Sequence, residues 1–174
     1  MDPAHQRIAA ATRFCDLGMW NAAVAELEPL SAGDHAVEAM RVHLRIQIAK
    51  QKWHAAASTA EFLIAYGEEP PATWIQGALA IRRSRSLEDA HRFLSRGEGA
   101  LCEDATFHYA LATLECQLGN LAEAGVRLSR ALQLNPELRP VALEDPDLDA
   151  LWQGTRIRLE SSTSARATFV PEES

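Results

Sequence analysis

Apolar residues recur along the chain with a period of 34 positions. Small residues form one series: Ala56, Ala90 and Ala124. Bulky apolar residues stand three positions before each of them: Trp53, Leu87 and Leu121. An earlier copy, one residue shorter, contains Trp20 and Ala23. A fixed period of this length is typical of a solenoid, so the pattern predicts four repeats.

Two further columns share this period. The first half of each copy contributes Ala11, Leu44, Ala78 and Ala112. The second half contributes Leu27, Ala60, Leu94 and Leu128. Small residues allow two antiparallel helices to approach closely, and the larger residues fill the space beside them. Each copy is therefore predicted to be a helix, a tight turn and a second helix.

Residues that begin and end helices fall where this plan needs them. Gly18 and Gly119 lie in two of the predicted turns, and Ser86 begins a capping motif before a second helix. Pro71 and Asp104 mark the starts of two first helices. Together these signals predict repeats over residues 4–36, 37–70, 71–104 and 105–138.

The fourth copy resembles a tetratricopeptide repeat (TPR). The resemblance rests on Tyr109, on Leu-Gly-Asn-Leu-Ala-Glu-Ala at 118–124 and on Ala-Leu-Gln-Leu-Asn-Pro at 131–136. The third and second copies keep further positions of the family pattern: Trp74, Ala78, Leu87, Glu88, Ala90 and Leu94, and Trp53, Ala56 and Tyr66. The resemblance, to small stand-alone bacterial-type TPR proteins, implies an all-α, right-handed α-solenoid of four TPR helix hairpins.

Four residues depart from the family pattern. Gly97 replaces the usual Ala late in the third copy, and His43 and Gly77 stand where Leu is common. Pro29 lies near the end of the second helix of the first copy. Because proline lacks the backbone N–H and clashes with the preceding turn, we expect that helix to end about a turn early.

The segment after the fourth copy is predicted to cap the array. Asp145 and Pro146 form a helix start, and Leu148, Leu151 and Trp152 then fall on one face. This face is expected to cover the apolar end of the fourth repeat. The predicted organisation is a single domain over 4–160, with a capping segment at 139–160, a final helix from 146 to about 159 and a disordered tail at 161–174.

Composition disfavours several kinds of partner and site. The 174 residues carry a net charge of -7, which disfavours nucleic acid as a partner. The three cysteines are not spaced as a zinc or redox site, so they are predicted to be reduced thiols of a cytoplasmic protein. Neither a secretory signal nor an apolar run of ~18 residues is present, so no membrane partner is expected.

The sequence predicts neither catalysis, nor a cofactor, nor a metal site. No two of the six histidines have the His-x-x-x-His spacing that places metal ligands on one helical face. No nucleophile or phosphate-binding motif is present. Acidic pairs at repeat junctions, such as Glu68 and Glu69, are predicted to be solvated helix caps.

The resemblance implies that the first helix of each repeat lines a concave groove that binds a partner protein or peptide. The residues assigned to that groove are Ile8, Thr12, Arg41, Arg45, Ile75, Leu79, Arg82, Tyr109 and Thr113. Arg41 and Arg45 are four positions apart and share a helical face, and guanidinium groups bind carboxylates in bidentate fashion. The groove is therefore expected to hold an acidic or carboxylate-bearing segment, unless these arginines pair internally.

The sequence leaves several functional alternatives open. Thr12 and Arg45 stand where the carboxylate-clamp members of the family would have Asn, so capture of a chaperone C-terminus is not predicted. A homo-oligomeric structural protein is a second reading, which an exposed Trp20 or Trp53 would favour. A secretion-type chaperone also fits, and a small-ligand or nucleic-acid binder is disfavoured by the acidity. The leading prediction is a non-catalytic scaffold or adaptor for another protein.

Overall fold

The computed structural model describes residues 2–30 and 33–153, and none of these residues lies in a strand. They form consecutive helices joined by short turns, which confirms the all-α, helix-hairpin class. The residues divide into two compact units after Leu101. The single domain predicted for residues 4–160 stays a prediction, and the two units are described separately.

The first unit contains three helix hairpins. Its helices are α1 (Pro3–Asp16), α2 (Trp20–Leu27), α3 (Ala36–Ala49), α4 (Trp53–Tyr66), α5 (Pro71–Ser84), α6 (Leu87–Ser95) and the short α7 (Glu98–Leu101). Helices α1 and α2, α3 and α4, and α5 and α6 pack as pairs. Along the unit α1 also contacts α3, and α3 contacts α5, so the first helices of the three repeats lie side by side.

The second unit contains the fourth hairpin and the segment that follows it. Its helices are α8 (Ala105–Gln117), α9 (Leu121–Leu134) and α10 (Leu138–Glu144). A 3-10 turn at Pro146–Leu148 comes next, and residues 149–153 are helical. Helices α8 and α9 pack as a pair, as the helices of each hairpin in the first unit do.

The small residues of the periodic column lie at the centres of the hairpins. Ala23, Ala56, Ala90 and Ala124 are each 0% exposed. At these positions a larger side chain would have to displace the facing helix, because protein interiors are close-packed. The predicted register of the repeat is therefore confirmed by burial.

Local signals for helix ends act as the sequence predicts. The Asp104 carboxylate accepts a hydrogen bond from the Phe107 N–H at 2.8 Å, and the Ser86 hydroxyl accepts one from the Asp89 N–H at 3.0 Å. Gly18 and Gly119 have φ values of 70° and 83°, which favour glycine in the turns after α1 and α8. Gly18, Ser86 and Gly119 thus lie at the turns of the first, third and fourth hairpins, and Asp104 begins the first helix of the fourth.

Two helices are interrupted near the unusual residues. Helix α2 ends at Leu27 and passes into a 3-10 turn over Glu28–Leu30, as Pro29 requires. Helix α6 ends at Ser95, and α7 begins three residues later, just after Gly97. The second helices of the first and third repeats are thus shorter than α4 and α9.

The residues predicted to cap the fourth repeat pack against it, but the helix predicted from 146 begins as a 3-10 turn over Pro146–Leu148. Trp152 and Leu151 pack against the cluster that contains Leu128 and the fully buried Leu148. The Trp152 Nε1–H also donates to the Ala142 carbonyl at 3.0 Å, so α10, a helix that the sequence pattern does not predict, holds the ring in place. The end of the predicted final helix near 159 and the tail at 161–174 lie outside the described residues.

Candidate functional site

The predicted groove residues of the first unit lie on its three neighbouring first helices. We call the surface formed by α1, α3 and α5 the first-helix face. It contains Ile8 and Thr12 on α1, Arg41 and Arg45 on α3, and Ile75, Leu79 and Arg82 on α5. No structural observation tests whether a partner binds there, so the assignment stays a prediction.

Arg41 is engaged by a buried carboxylate. Its Nε and Nη2 atoms donate to the two oxygens of Glu69 at 2.8 and 2.9 Å. The Thr73 hydroxyl donates to the same carboxylate at 2.9 Å. The Glu69 side chain is only 1% exposed, so the prediction that Glu69 is a solvated cap is wrong. This network joins α3 to the start of α5, and the hydrogen bonds that Arg41 donates to Glu69 raise the pKa of Arg41.

Arg45 makes a very different ion pair. Its Nη2 atom donates to Asp16 Oδ1 at 2.8 Å, at the end of α1. The Arg45 side chain is 40% exposed and that of Asp16 is 60% exposed. Exposed ion pairs of this kind contribute only about 0 to 1 kcal/mol because water solvates both charges. Arg45 can therefore exchange Asp16 for another carboxylate at little cost.

The remaining residues of the first-helix face are half-buried. Ile8 packs against the core cluster that α1, α2 and α3 share, and the Thr12 hydroxyl donates to the Ile8 carbonyl at 2.9 Å. Ile75, Leu79 and Arg82 lie on α5 with intermediate exposure. The face thus offers apolar edges beside its arginines.

The two predicted groove residues of the second unit are already engaged within that unit. The Tyr109 hydroxyl donates to Asp145 Oδ2 at 2.6 Å, and the Thr113 hydroxyl donates to the Ala110 carbonyl at 2.9 Å. Burial, followed by this bond to Asp145, raises the pKa of Tyr109. Tyr109 therefore ties α8 to the capping segment.

The two arginines of α3 are expected to differ in their effect on stability. Arg41→Ala should lower the free energy of unfolding by about 1 to 2 kcal/mol, because it leaves the buried Glu69 carboxylate without its main partner. Arg45→Ala should change it by less than about 0.5 kcal/mol. Urea unfolding of both variants checks this, and equal effects would contradict the distinction.

Sequence reasoning missed an exposed aromatic pair on α4. The rings of Phe62 and Tyr66 stack with centroids 5.9 Å apart, and these residues are 50% and 68% exposed. The i, i+4 spacing of two aromatic residues on a helix is the signal that was available. By contrast, Trp20 and Trp53, the residues considered for self-association, are partly buried.

A cluster of histidines and carboxylates was also missed. Asp2 Oδ2 lies 2.8 Å from His35 Nε2 and 3.3 Å from His5 Nδ1. On the other side of the ring, His35 Nδ1 lies 2.9 Å from Glu38 Oε2. The hydrogen bond that the Glu38 carboxylate accepts raises the pKa of His35. The hydrogen bond from the Ala4 N–H is the main cause of the lowered pKa of Asp2.

Two further observations concern the helices and the cysteines of the described part of the chain. No helix in that part is long and apolar enough to cross a membrane. Its three cysteines are free thiols, with Cys15 and Cys116 buried and Cys102 exposed. Burial raises the pKa of Cys15, which makes that thiol less reactive.

Comparisons with known proteins identify the fold. No protein-family model matches the sequence, and the search of curated proteins gives no match. Among solved structures, YrrB, described as a TPR protein with an unusual peptide-binding site, aligns with a TM-score of 0.61 and 16% identity over 75% of this chain and 68% of that chain. The MamA RS-1 ArsTM double mutant aligns with a TM-score of 0.65 and 15% identity over 95% of this chain and 98% of that chain. The chain therefore has the tetratricopeptide-repeat fold that its sequence predicts.

Proposed function

We propose that this chain is a non-catalytic adaptor that binds an acidic segment of a partner protein on the first-helix face. The fold supports this role, and the similarly folded YrrB is described as having a peptide-binding site. Helical-repeat arrays present extended surfaces that suit such segments. The free, exposed Cys102 fits a reducing compartment, so we place the protein in the cytoplasm.

The observation that carries the proposal is the exposed Arg45–Asp16 pair. A partner carboxylate that replaces Asp16 at Arg45 leaves Asp16 in water, where it is readily solvated. A guanidinium can donate two parallel N–H groups to such a carboxylate, which gives the contact direction as well as charge. Arg82 and the apolar edges of Ile75 and Leu79 extend the same surface along α5.

Arg41 is given a positioning role in this proposal. A partner carboxylate that displaced Glu69 would leave this buried carboxylate without its main partner, the same loss of about 1 to 2 kcal/mol that Arg41→Ala is expected to cause. Arg41 therefore holds α3 against the start of α5 and keeps Arg45 and Arg82 at a fixed separation. The sequence suggests that both arginines of α3 bind the partner. In this proposal only Arg45 binds it directly.

The test is affinity capture from the native host with the full chain and two charge-reversal variants. Arg45→Glu should lose the partner that the unmodified chain captures, while Arg92→Glu should retain it. Arg92 is a matched control because it is an exposed, ion-paired arginine on α6, outside the first-helix face. Binding should weaken as salt increases, since exposed charges are screened.

The outcome also identifies the class of partner. If Arg45→Glu captured the partner as well as the unmodified chain does, the partner would not be recognised at the first-helix face. A captured protein that is itself secreted would favour the secretion-chaperone alternative, and a cytoplasmic one would favour an adaptor.

A second candidate function, self-association, rests on the exposed aromatic pair of α4. Phe62 and Tyr66 present a stacked apolar surface of the kind that central interface residues provide. Sedimentation over a range of concentrations checks it. A dimer that dissociates in Phe62→Glu would support this candidate, and a concentration-independent monomer would eliminate it.

A further inference from the structure

The first repeat and the start of the second bring two imidazoles and a carboxylate to one point. The ligand atoms of Asp2, His5 and His35 all lie within 4.8 Å of one another. Asp2 precedes α1, His5 lies in its first turn, and His35 immediately precedes α3. We propose that these three residues bind a divalent transition-metal ion of the Zn²⁺ class.

The separations suit a small tetrahedral ion. Ligand atoms held about 2.0 to 2.2 Å from Zn²⁺ are about 3.3 Å from one another. Asp2 Oδ2 lies 2.8 Å from His35 Nε2 and 3.3 Å from His5 Nδ1, which is close to that spacing. The two histidine rings meet edge to face, with centroids 4.6 Å apart, so small side-chain rotations open the space between them. Binding requires His35 Nε2 to carry no proton, because a histidine ligates through an unprotonated ring nitrogen.

Two of the three ligands are already oriented by other groups. The second oxygen of Asp2, Oδ1, accepts the Ala4 N–H at 3.0 Å as the N-cap of α1, which directs Oδ2 towards the histidines. Glu38 Oε2 contacts His35 Nδ1 at 2.9 Å and holds the ring so that Nε2 faces Asp2. A carboxylate bonded to the far nitrogen of a histidine ligand is the usual supporting arrangement at zinc sites.

The donor set selects the class of ion. Two imidazoles with one carboxylate suit Zn²⁺ and its transition-metal neighbours, whereas Mg²⁺ and Ca²⁺ require oxygen ligands. Three protein ligands leave a fourth position for water or for a donor from a partner. An ion at this point joins the start of α1 to the start of α3, so binding stabilises the folded first unit.

The experiment is a calorimetric titration of the metal-free full chain with Zn²⁺ at neutral pH, with Mg²⁺ as the contrasting ion. We expect one saturable Zn²⁺ per chain and no comparable Mg²⁺ binding. His5→Gln and His35→Gln should each weaken Zn²⁺ binding more than about tenfold. Glu38→Gln should weaken it by about 10- to 100-fold through the orientation of His35. His54→Gln, at an exposed position of α4, is the control and should bind as the unmodified chain does.

Thermal unfolding gives a second readout. Zn²⁺ should raise the melting temperature of the unmodified chain and of His54→Gln, but not that of His5→Gln. His5 is exposed, so its replacement leaves the apo fold intact. Absence of saturable binding, binding that is equal in His5→Gln and His54→Gln, or equal affinity for Mg²⁺ would each overturn the proposal.

Discussion

Gly77→Ala is expected to lower the free energy of unfolding by about 2 to 3 kcal/mol, although alanine normally strengthens a helix. Gly77 lies inside α5, which packs against both α4 and α6. A Cβ at this position would lie 2.7 Å from Ala60 Cβ on α4 and 2.7 Å from the Phe93 ring on α6. No Cβ fits at that distance, so α4 or α6 has to move. Urea unfolding measures the loss.

Gly125→Ala is the matched control for this effect. Gly125 also lies inside a helix, α9, but the nearest atom to an added Cβ is Leu151 Cδ1 at 3.8 Å, an ordinary contact. The substitution should stabilise the protein by about 0.5 to 1 kcal/mol through helix propensity alone. The same added methyl group is thus expected to lower the free energy of unfolding at position 77 and to raise it at position 125. A stabilising Gly77→Ala would show that α4, α5 and α6 do not approach as closely as described.

Trp152→Ala is expected to destabilise the second unit by about 2 to 4 kcal/mol. The ring packs against the cluster that contains Leu128 and Leu148, and its Nε1–H satisfies the Ala142 carbonyl. Truncating a fully buried tryptophan costs about 3 to 5 kcal/mol, and this ring is partly exposed. The loss should appear in denaturant unfolding and in faster hydrogen exchange of α9 and α10.

Trp152→Phe separates packing from the hydrogen bond. It keeps most of the apolar area but leaves the Ala142 carbonyl without this donor, so it should cost about 1 kcal/mol. If Trp152→Ala and Trp152→Phe were equally destabilising, the hydrogen bond rather than apolar contact would dominate the cap. If neither changed stability, the ring would not contribute to it.

The fold was predictable because its main determinants repeat. Ala56, Ala90 and Ala124 occupy equivalent positions, so each copy confirms the register of the others, and all three are buried. Gly77 was noticed only as a departure from the family pattern. Its reason, a close approach of Ala60 and Phe93, depends on the distance between helices, which composition and spacing do not specify.

The pairing of the arginines was less predictable. Arg41 contacts Glu69 across 28 positions, beside the start of α5, and Arg45 contacts Asp16 of the preceding repeat across 29. The period shows which segments are neighbours, but it does not decide whether an arginine pairs forwards or backwards along the array. It also gave no sign that Glu69 is buried, because acidic residues at helix starts are usually solvated.

The histidine cluster could have been found from the period. Asp2 and His35 are one repeat length apart, so they occupy equivalent points before α1 and α3. A search for metal ligands along a single helix misses such pairs. A search of equivalent positions in adjacent repeats would have paired Asp2 with His35 and included His5, one turn further along α1.

Hydrogen–deuterium exchange of the chain with its captured partner tests the central claim most directly, because it locates the bound segment on the protein. Binding at the first-helix face predicts added protection on α3 and α5, centred on Arg45, with little change on α4 around Phe62 and Tyr66. Protection confined to α4, with α3 and α5 unchanged by the partner, would contradict binding at the first-helix face.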